Sequence, residues 1–133
     1  MRKSPVRAIV AAALAVMCAG LLTSAAAAGD CPKAPEKFTT LCASCHGPMG
    51  KGNGAAAEAL KAIAQVRDFT NAEYMKTRTD AQLINVIKNG GPAEKLNPLM
   101  AAMGPQFSGD KEIQGIVKFI RALPKAEEKC FKQ

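Results

Sequence analysis

An all-α fold is what this chain predicts, and three observations predict it. The alternating apolar/polar pattern of half-buried strands is absent. Apolar residues recur instead at helical spacing in segments that carry their own caps. Between those segments lie loops rich in Gly and Pro, such as Gly47-Pro48-Met49-Gly50-Lys51-Gly52-Asn53-Gly54.

The N-terminal segment is read as a leader rather than as part of the fold. Arg2, Lys3 and Arg7 form a basic region, and Ile9 to Leu22 is apolar but short for a bilayer span. Ala26-x-Ala28 then offers a cleavage site before Gly29. Residues 1–28 are therefore expected to be a cleaved secretory signal and residues 29–133 a single small domain, exported to the periplasm. An uncleaved N-terminal anchor is the competing reading; after cleavage no stable membrane insertion is expected. Neither Met17-Cys18 nor Asp30-Cys31 suits lipid attachment, which wants a small residue before the cysteine.

The first helix of the domain is predicted from Pro35 to about Cys45, with Pro at its opening turn and Glu36 at the positive end of its dipole. Phe38, Leu41, Cys42 and Cys45 share one face of it. Ala55 to Val66 is alanine-rich and predicts a turn or two of helix. Thr79 with Gln82 forms a capping box for a helix through Asn89, ended by Gly90 and burying Leu83, Ile84, Val86 and Ile87. The last helix is the clearest: Ser108 as cap, Asp110 and Glu112 in the first turn, then Ile113, Ile116, Val117, Ile120 and Leu123 on one face. Arg121 suits its C-terminal dipole and Pro124 stops it. With five Phe, one Tyr and no Trp, the chain has little aromatic volume to fill a core. A bound macrocycle would fill it, and a poorly folded apo form is expected.

The chemistry is concentrated in Cys42-Ala43-Ser44-Cys45-His46, because C-x-x-C-H is the attachment signature of a c-type haem. Two thiols on one helical turn can each add to a vinyl group, and the adjacent imidazole is left beside the iron. A thioredoxin-type C-x-x-C needs a βαβ context that is missing. A zinc site wants a second Cys/His pair, and His46 is the single histidine. The glycine loop does not match a phosphate-binding Gly-x-x-x-x-Gly-Lys-[Ser/Thr], and no strand precedes it.

Charge excludes less but still narrows the choice. The leader takes three of the 18 basic residues and none of the 11 acids, leaving the mature chain at +4, nearer +2 with two haem propionates. That excess is too mild for a nucleic-acid binder. It suits either a lysine-bearing rim that steers a transient, partly acidic partner or an ordinary solvated surface.

Among donors for a sixth iron position methionine leads, since no second histidine exists. Met49 lies too close to His46 along the chain, and Met75 sits in a polar stretch before a helix. Met100 and Met103 lie in an apolar loop, and either could cross the distal side; flexible core filling is the alternative for any methionine.

With these pieces assembled, the chain resembles the class I (His/Met) monohaem cytochromes c of bacterial periplasms, over about residues 34–124. The matching segments are Phe38 before Cys42-Ala43-Ser44-Cys45-His46-Gly47, the Gly50-x-Gly52-x-Gly54 loop, and Arg67-Asp68-Phe69-Thr70. Leu83-x-x-Val86-Ile87-Lys88-Asn89-Gly90-Gly91 also matches, as does Met100-x-x-Met103-Gly104-x-x-Phe107-Ser108-x-x-x-Glu112-Ile113. The resemblance implies a small cytochrome c fold of short helices and loops around one haem. It makes Met100 the ligand beside His46, with Met103 lining the pocket.

Two departures stand out: Ala101 follows Met100 and Ala55 follows the third loop glycine, where the family usually has Pro. In relatives the carbonyl at the second position accepts a hydrogen bond from the proximal histidine, a role that falls here to Ala55. Arg67 or Tyr74 is expected to hold a propionate; a solvated Arg and a core-edge Tyr are the alternative.

The function implied is electron transfer rather than catalysis, as a soluble carrier or as the cytochrome subunit of a redox complex, with other redox proteins as partners. A five-coordinate haem protein that binds a gas or reduces peroxide is the rival reading. The resemblance also bears on the remaining cysteines. Cys31 and Cys130 are the only mature thiols left after haem attachment, in an oxidising compartment. In the resembled fold the first and last helices cross, with Phe38 and Leu41 facing Ile116 and Phe119 and Gly115 allowing close approach. A Cys31–Cys130 disulfide is expected, against free or intermolecular thiols.

Overall fold

The computed structural model describes residues 30–132, so the leader expectation for residues 1–28 lies outside the described residues. The described residues form helices and loops, with no strand among them. That is the small all-α fold the sequence predicts.

The first helix is not uniformly α. A π-helical turn over Phe38–Cys42 runs into α1, Ala43–His46. The Ala43 N–H donates to the carbonyl of Phe38, five residues back. Thr39 and Thr40 turn their hydroxyls back onto the Pro35 and Glu36 carbonyls, and this competition loosens the α ladder. The wide turn leaves Phe38 in the core at 1% exposure while Cys42 stays half-buried.

The glycine loop then wraps the C-terminus of α1. Gly52 N–H donates to the His46 carbonyl (2.8 Å) and Gly54 N–H to the Cys45 carbonyl (3.0 Å), so the loop satisfies the helix's orphan acceptors. Gly54 must be glycine for this: a Cβ there would lie 2.3 Å from the Ser44 carbonyl oxygen. Helix α2 follows over Ala55–Leu60, shorter than the alanine-rich run that predicts it.

Helix α3, Ala72–Lys76, is not foreseen by the sequence reading. Its signal is Asn71, whose side chain accepts from the Tyr74 N–H at the N-terminus. Met75 on α3 is 3% exposed and belongs to the core rather than to a polar stretch. Helix α4, Asp80–Asn89, has the expected Thr79/Gln82 capping box and ends at Gly90. Leu83 and Ile87 are buried, whereas Ile84 and Val86 are only half-buried.

Helix α5, Asp110–Ala122, buries Ile113, Ile116, Val117, Phe119 and Ile120. Its N-cap is Gly109 rather than Ser108. The capping runs in reverse, with Glu112 accepting from the Ser108 N–H at 2.7 Å. Helices α4 and α5 pack against each other. Phe38 meets Phe119 edge-on at a centroid distance of 4.8 Å, so the first and last helices do touch. Gly115 is not what lets them approach: a Cβ there would meet nothing within 4 Å. No helix among the described residues is long and apolar enough to cross a membrane.

Candidate haem site

One cavity of about 360 Å³ collects the predicted site residues. Cys42, Cys45, His46, Arg67, Tyr74 and Met100 all line it, together with Met103. Much of the remaining wall is apolar, with Leu83, Val86 and Ile87 coming from α4.

His46 sits at the end of α1, held on two sides. Its Nδ1–H donates to the Arg67 carbonyl at 3.4 Å. Its ring stacks on Phe69, with centroids 4.5 Å apart and planes 20° from parallel. Phe69 in turn is fixed by its N–H donating to the Gly50 carbonyl at 2.7 Å. The expectation that Ala55 supplies the orienting carbonyl is therefore corrected. Ala55 is the first residue of helix α2, and the carbonyl that reaches the imidazole comes from the segment at Arg67. Burial pushes His46 below its ordinary value of 6.5, against the opposing pull of the Arg67 carbonyl. A neutral ring with Nδ1 occupied leaves Nε2 as the lone pair for a metal.

The thiols of Cys42 and Cys45 are free. Burial and the neighbouring Cys45 push the Cys42 thiol up to about 11, so it rests protonated at neutral pH.

The loop bearing both methionines lies directly on the end of α4. Gly91 N–H donates to the Met100 carbonyl (2.7 Å), and Met103 N–H to the Ile87 carbonyl (2.9 Å). A Cβ on Gly91 would stand 2.1 Å from the Asn97 carbonyl oxygen. The Gly90-Gly91 pair thus serves this loop as well as ending the helix. Met103 packs against the buried core, which accounts for its side chain; Met100 lines the cavity outside that core cluster.

Arg67 lies 5.1 Å from the centre of the Tyr74 ring, and Arg78 lies 5.7 Å from it. Sequence reasoning named the first two and missed Arg78, which has no motif around it. Its Nε is buried and finds no hydrogen-bond partner among the described residues. An apolar cavity with paired thiols, a neutral imidazole and a half-buried guanidinium fits a macrocycle with vinyl groups, an iron and carboxylates. Away from the cavity the structure brings Cys31 and Cys130 together as a bonded pair, with Cα atoms 5.4 Å apart.

No curated protein matches the chain. The family model for cytochrome C oxidase, cbb3-type, subunit III matches residues 32–120. That span includes both cavity thiols, His46, the methionine loop and most of α5, and on this match the chain belongs to that family of c-type cytochrome domains, electron carriers with covalently bound haem c.

Proposed function

We propose that the mature protein is a periplasmic electron-transfer cytochrome with one haem c, attached through Cys42 and Cys45 and ligated by His46 and Met100. The observation that carries this reading is that all four side chains line one cavity. When bound, the haem supplies an iron that takes up and releases one electron. The chain's own residues do the rest. Cys42 and Cys45 tether the group through thioethers, which prevents its loss outside the cell. The Arg67 carbonyl and the Phe69 ring hold the His46 imidazole in one orientation, with Nε2 as the donor. Met100 would supply the second protein donor to the iron, which would leave no site open for a substrate. Its thioether and the apolar wall would favour the reduced state and raise the potential. Leu99, half exposed beside Met100, and Lys95 lie at the same cavity and offer a small contact area to a redox partner.

The family's description supports a place in a larger redox complex, as a cytochrome subunit rather than a freely diffusing carrier. We also read Cys31–Cys130 as a lasting disulfide in the exported protein. Closing a loop with a sequence separation of 99 corresponds to roughly 4–5 kcal/mol in the chain-entropy model. Intact mass of the unreduced holoprotein after thiol alkylation tests the bridge, since two alkylated cysteines per monomer would exclude it. An optical spectrum of the oxidised holoprotein tests the ligation. A far-red charge-transfer band from iron–methionine sulfur is expected. Its absence, with ready binding of carbon monoxide by the reduced form, would overturn the six-coordinate reading.

A further inference from the structure

The C-terminal tail ends on the His46 side of the domain. After α5 the chain makes a 3-10 turn over Leu123–Lys125 that lies against α3, and a second over Glu128–Phe131. Leu123 is fully buried and Cys130 is 2% exposed. A chain end stays ordered only where it is tied down. Here the ties are packing and a covalent bond. Ala126, Cys130 and Phe131 pack on the core, and Cys130 is bonded to Cys31, just ahead of the helix that carries the thiols and His46.

The glycine loop is what the tail presses on. A Cβ on Gly50 would lie 2.6 Å from Leu123 Cδ1 and 3.1 Å from Phe69 Cδ2, so these two side chains close over the bare glycine. Lys51, the next residue, holds its Nζ 4.7 Å from the centre of the Phe131 ring. From Gly50 the path to the imidazole is short. The Gly50 carbonyl accepts from the Phe69 N–H, and the Phe69 ring stacks on His46. Phe69 therefore stands between Leu123 of the tail and the candidate ligand.

We infer that the C-terminal tail, fastened by Cys31–Cys130, is a positioning element for the iron's histidine ligand, and that it acts from Leu123 through Gly50 and Phe69. This rests on the reading of His46 as that ligand. Contacts one step behind a ligating histidine orient it and tune the metal. With the bond closed, Leu123 keeps Gly50 and Phe69 in place, and the imidazole keeps its bond to the Arg67 carbonyl. With the bond open, the tail is the first part to fray. Its N–H groups at Ala126, Cys130 and Lys132 donate to carbonyls of the tail itself, so little backbone bonding resists its departure. A change at the chain ends is then felt at the iron.

The test is hydrogen–deuterium exchange followed by nitrogen-15 NMR on the reduced holoprotein, for the unmodified chain, Cys31→Ala/Cys130→Ala, Leu123→Ala and Leu123→Met. Two protons read the path, the Phe69 N–H and the His46 Nδ1–H. The Ile87 N–H inside α4 reads the rest of the fold. Both path protons are expected to exchange at least about tenfold faster in the double variant and in Leu123→Ala, with Ile87 unchanged. Leu123→Met conserves volume and keeps most of the protection. Equal acceleration at Ile87 means general destabilisation and overturns the proposal, as do path protons that stay protected in both variants. A response in Leu123→Ala alone removes the disulfide from the path, and one in the double variant alone removes Leu123. Should Leu123→Ala yield no holoprotein, Leu123→Val is read in its place. Should the double variant yield none, Phe131→Ala loosens the tail with the bond intact and is read the same way. Ligation is checked apart, because an imidazole on iron binds no further proton and its NMR signals hold still with pH. Moving signals with accelerated path protons remove the ligand reading and keep the path; still signals with protected protons remove the path alone.

Discussion

The segment around His46 and the loop around Met100 line the same cavity but are built by different means. On the His46 side the proposed ligand and both thiols lie within five consecutive residues. Its helix end is wrapped by the Gly52 and Gly54 N–H groups, and its ring is stacked on Phe69 and bonded to the Arg67 carbonyl. On the Met100 side the half-buried side chain makes no hydrogen bond or ring contact among the described residues. The loop is held by backbone bonds to Gly91 and Ile87, by the Asn97 side chain accepting from the Leu99 N–H and by Met103 on the core, and its Leu99 is 50% exposed. Positional order on the first side comes from side-chain packing. On the second it comes from two glycines that let one backbone lie on another. The second arrangement is the easier to open, since local stability follows buried contacts.

The largest effect that separates the two sides is on haem retention. Cys45→Ala removes one tether from the helix that carries His46, and the yield of covalent holoprotein is expected to fall at least about tenfold, given the loss of a bond rather than a contact. Met100→Ala should leave that yield near normal. Pyridine haemochrome assays on purified protein measure both, and equal losses would erase the distinction.

Next in size is ligation itself. Met100→Ala is expected to abolish the far-red band and to open the reduced iron to carbon monoxide, whereas Met103→Ala keeps the band. Met103 serves the core, so its truncation should instead cost about 2–4 kcal/mol of stability by denaturant unfolding. Loss of the band in Met103→Ala alone would exchange the two assignments.

The two backbone approaches can be probed in the same way. A methyl at Gly54 would collide with the α1 carbonyls of Ser44 and Ala43, and one at Gly91 with the Asn97 carbonyl. None of these is the end of a flexible side chain, so each substitution should destabilise by about 2 kcal/mol or more. The signatures differ. Gly91→Ala should weaken the far-red band before the protein unfolds, while Gly54→Ala should lose the band only together with the fold.

How much of this was legible in the chain follows the same division. Cys42, Cys45 and His46 fall within five residues, so their chemistry is written in local spacing, as are the Thr79/Gln82 box and the α5 stripe. The orienting carbonyl was misread because a backbone oxygen carries no residue signature. Ala55 opens helix α2, and a segment 21 positions from His46 supplies the contact. Arg78 was missed for a related reason: its backbone carbonyl is bound by Arg121, 43 residues away. Helix α3 was missed because a single Asn71 cap on five residues gives almost no periodicity to read.

The smallest expected effect concerns acid. Burial holds His46 below 6.5 in the folded protein, so an unfolded chain binds its proton first as pH falls. Stability from this group is fully present above about 6.5, the ordinary histidine value, and is lost as pH drops through the lowered folded value. In haem-free protein, an NMR titration of the His46 ring should therefore find its midpoint below 6.5. Phe69→Leu removes the stacked ring, lets water nearer the imidazole and weakens the cause of the shift. That midpoint should then move upward, toward 6.5. A midpoint that stays put would mean the Arg67 carbonyl, rather than the stack, keeps the His46 side ordered. The contrast with the Met100 loop would then be one of backbone against backbone.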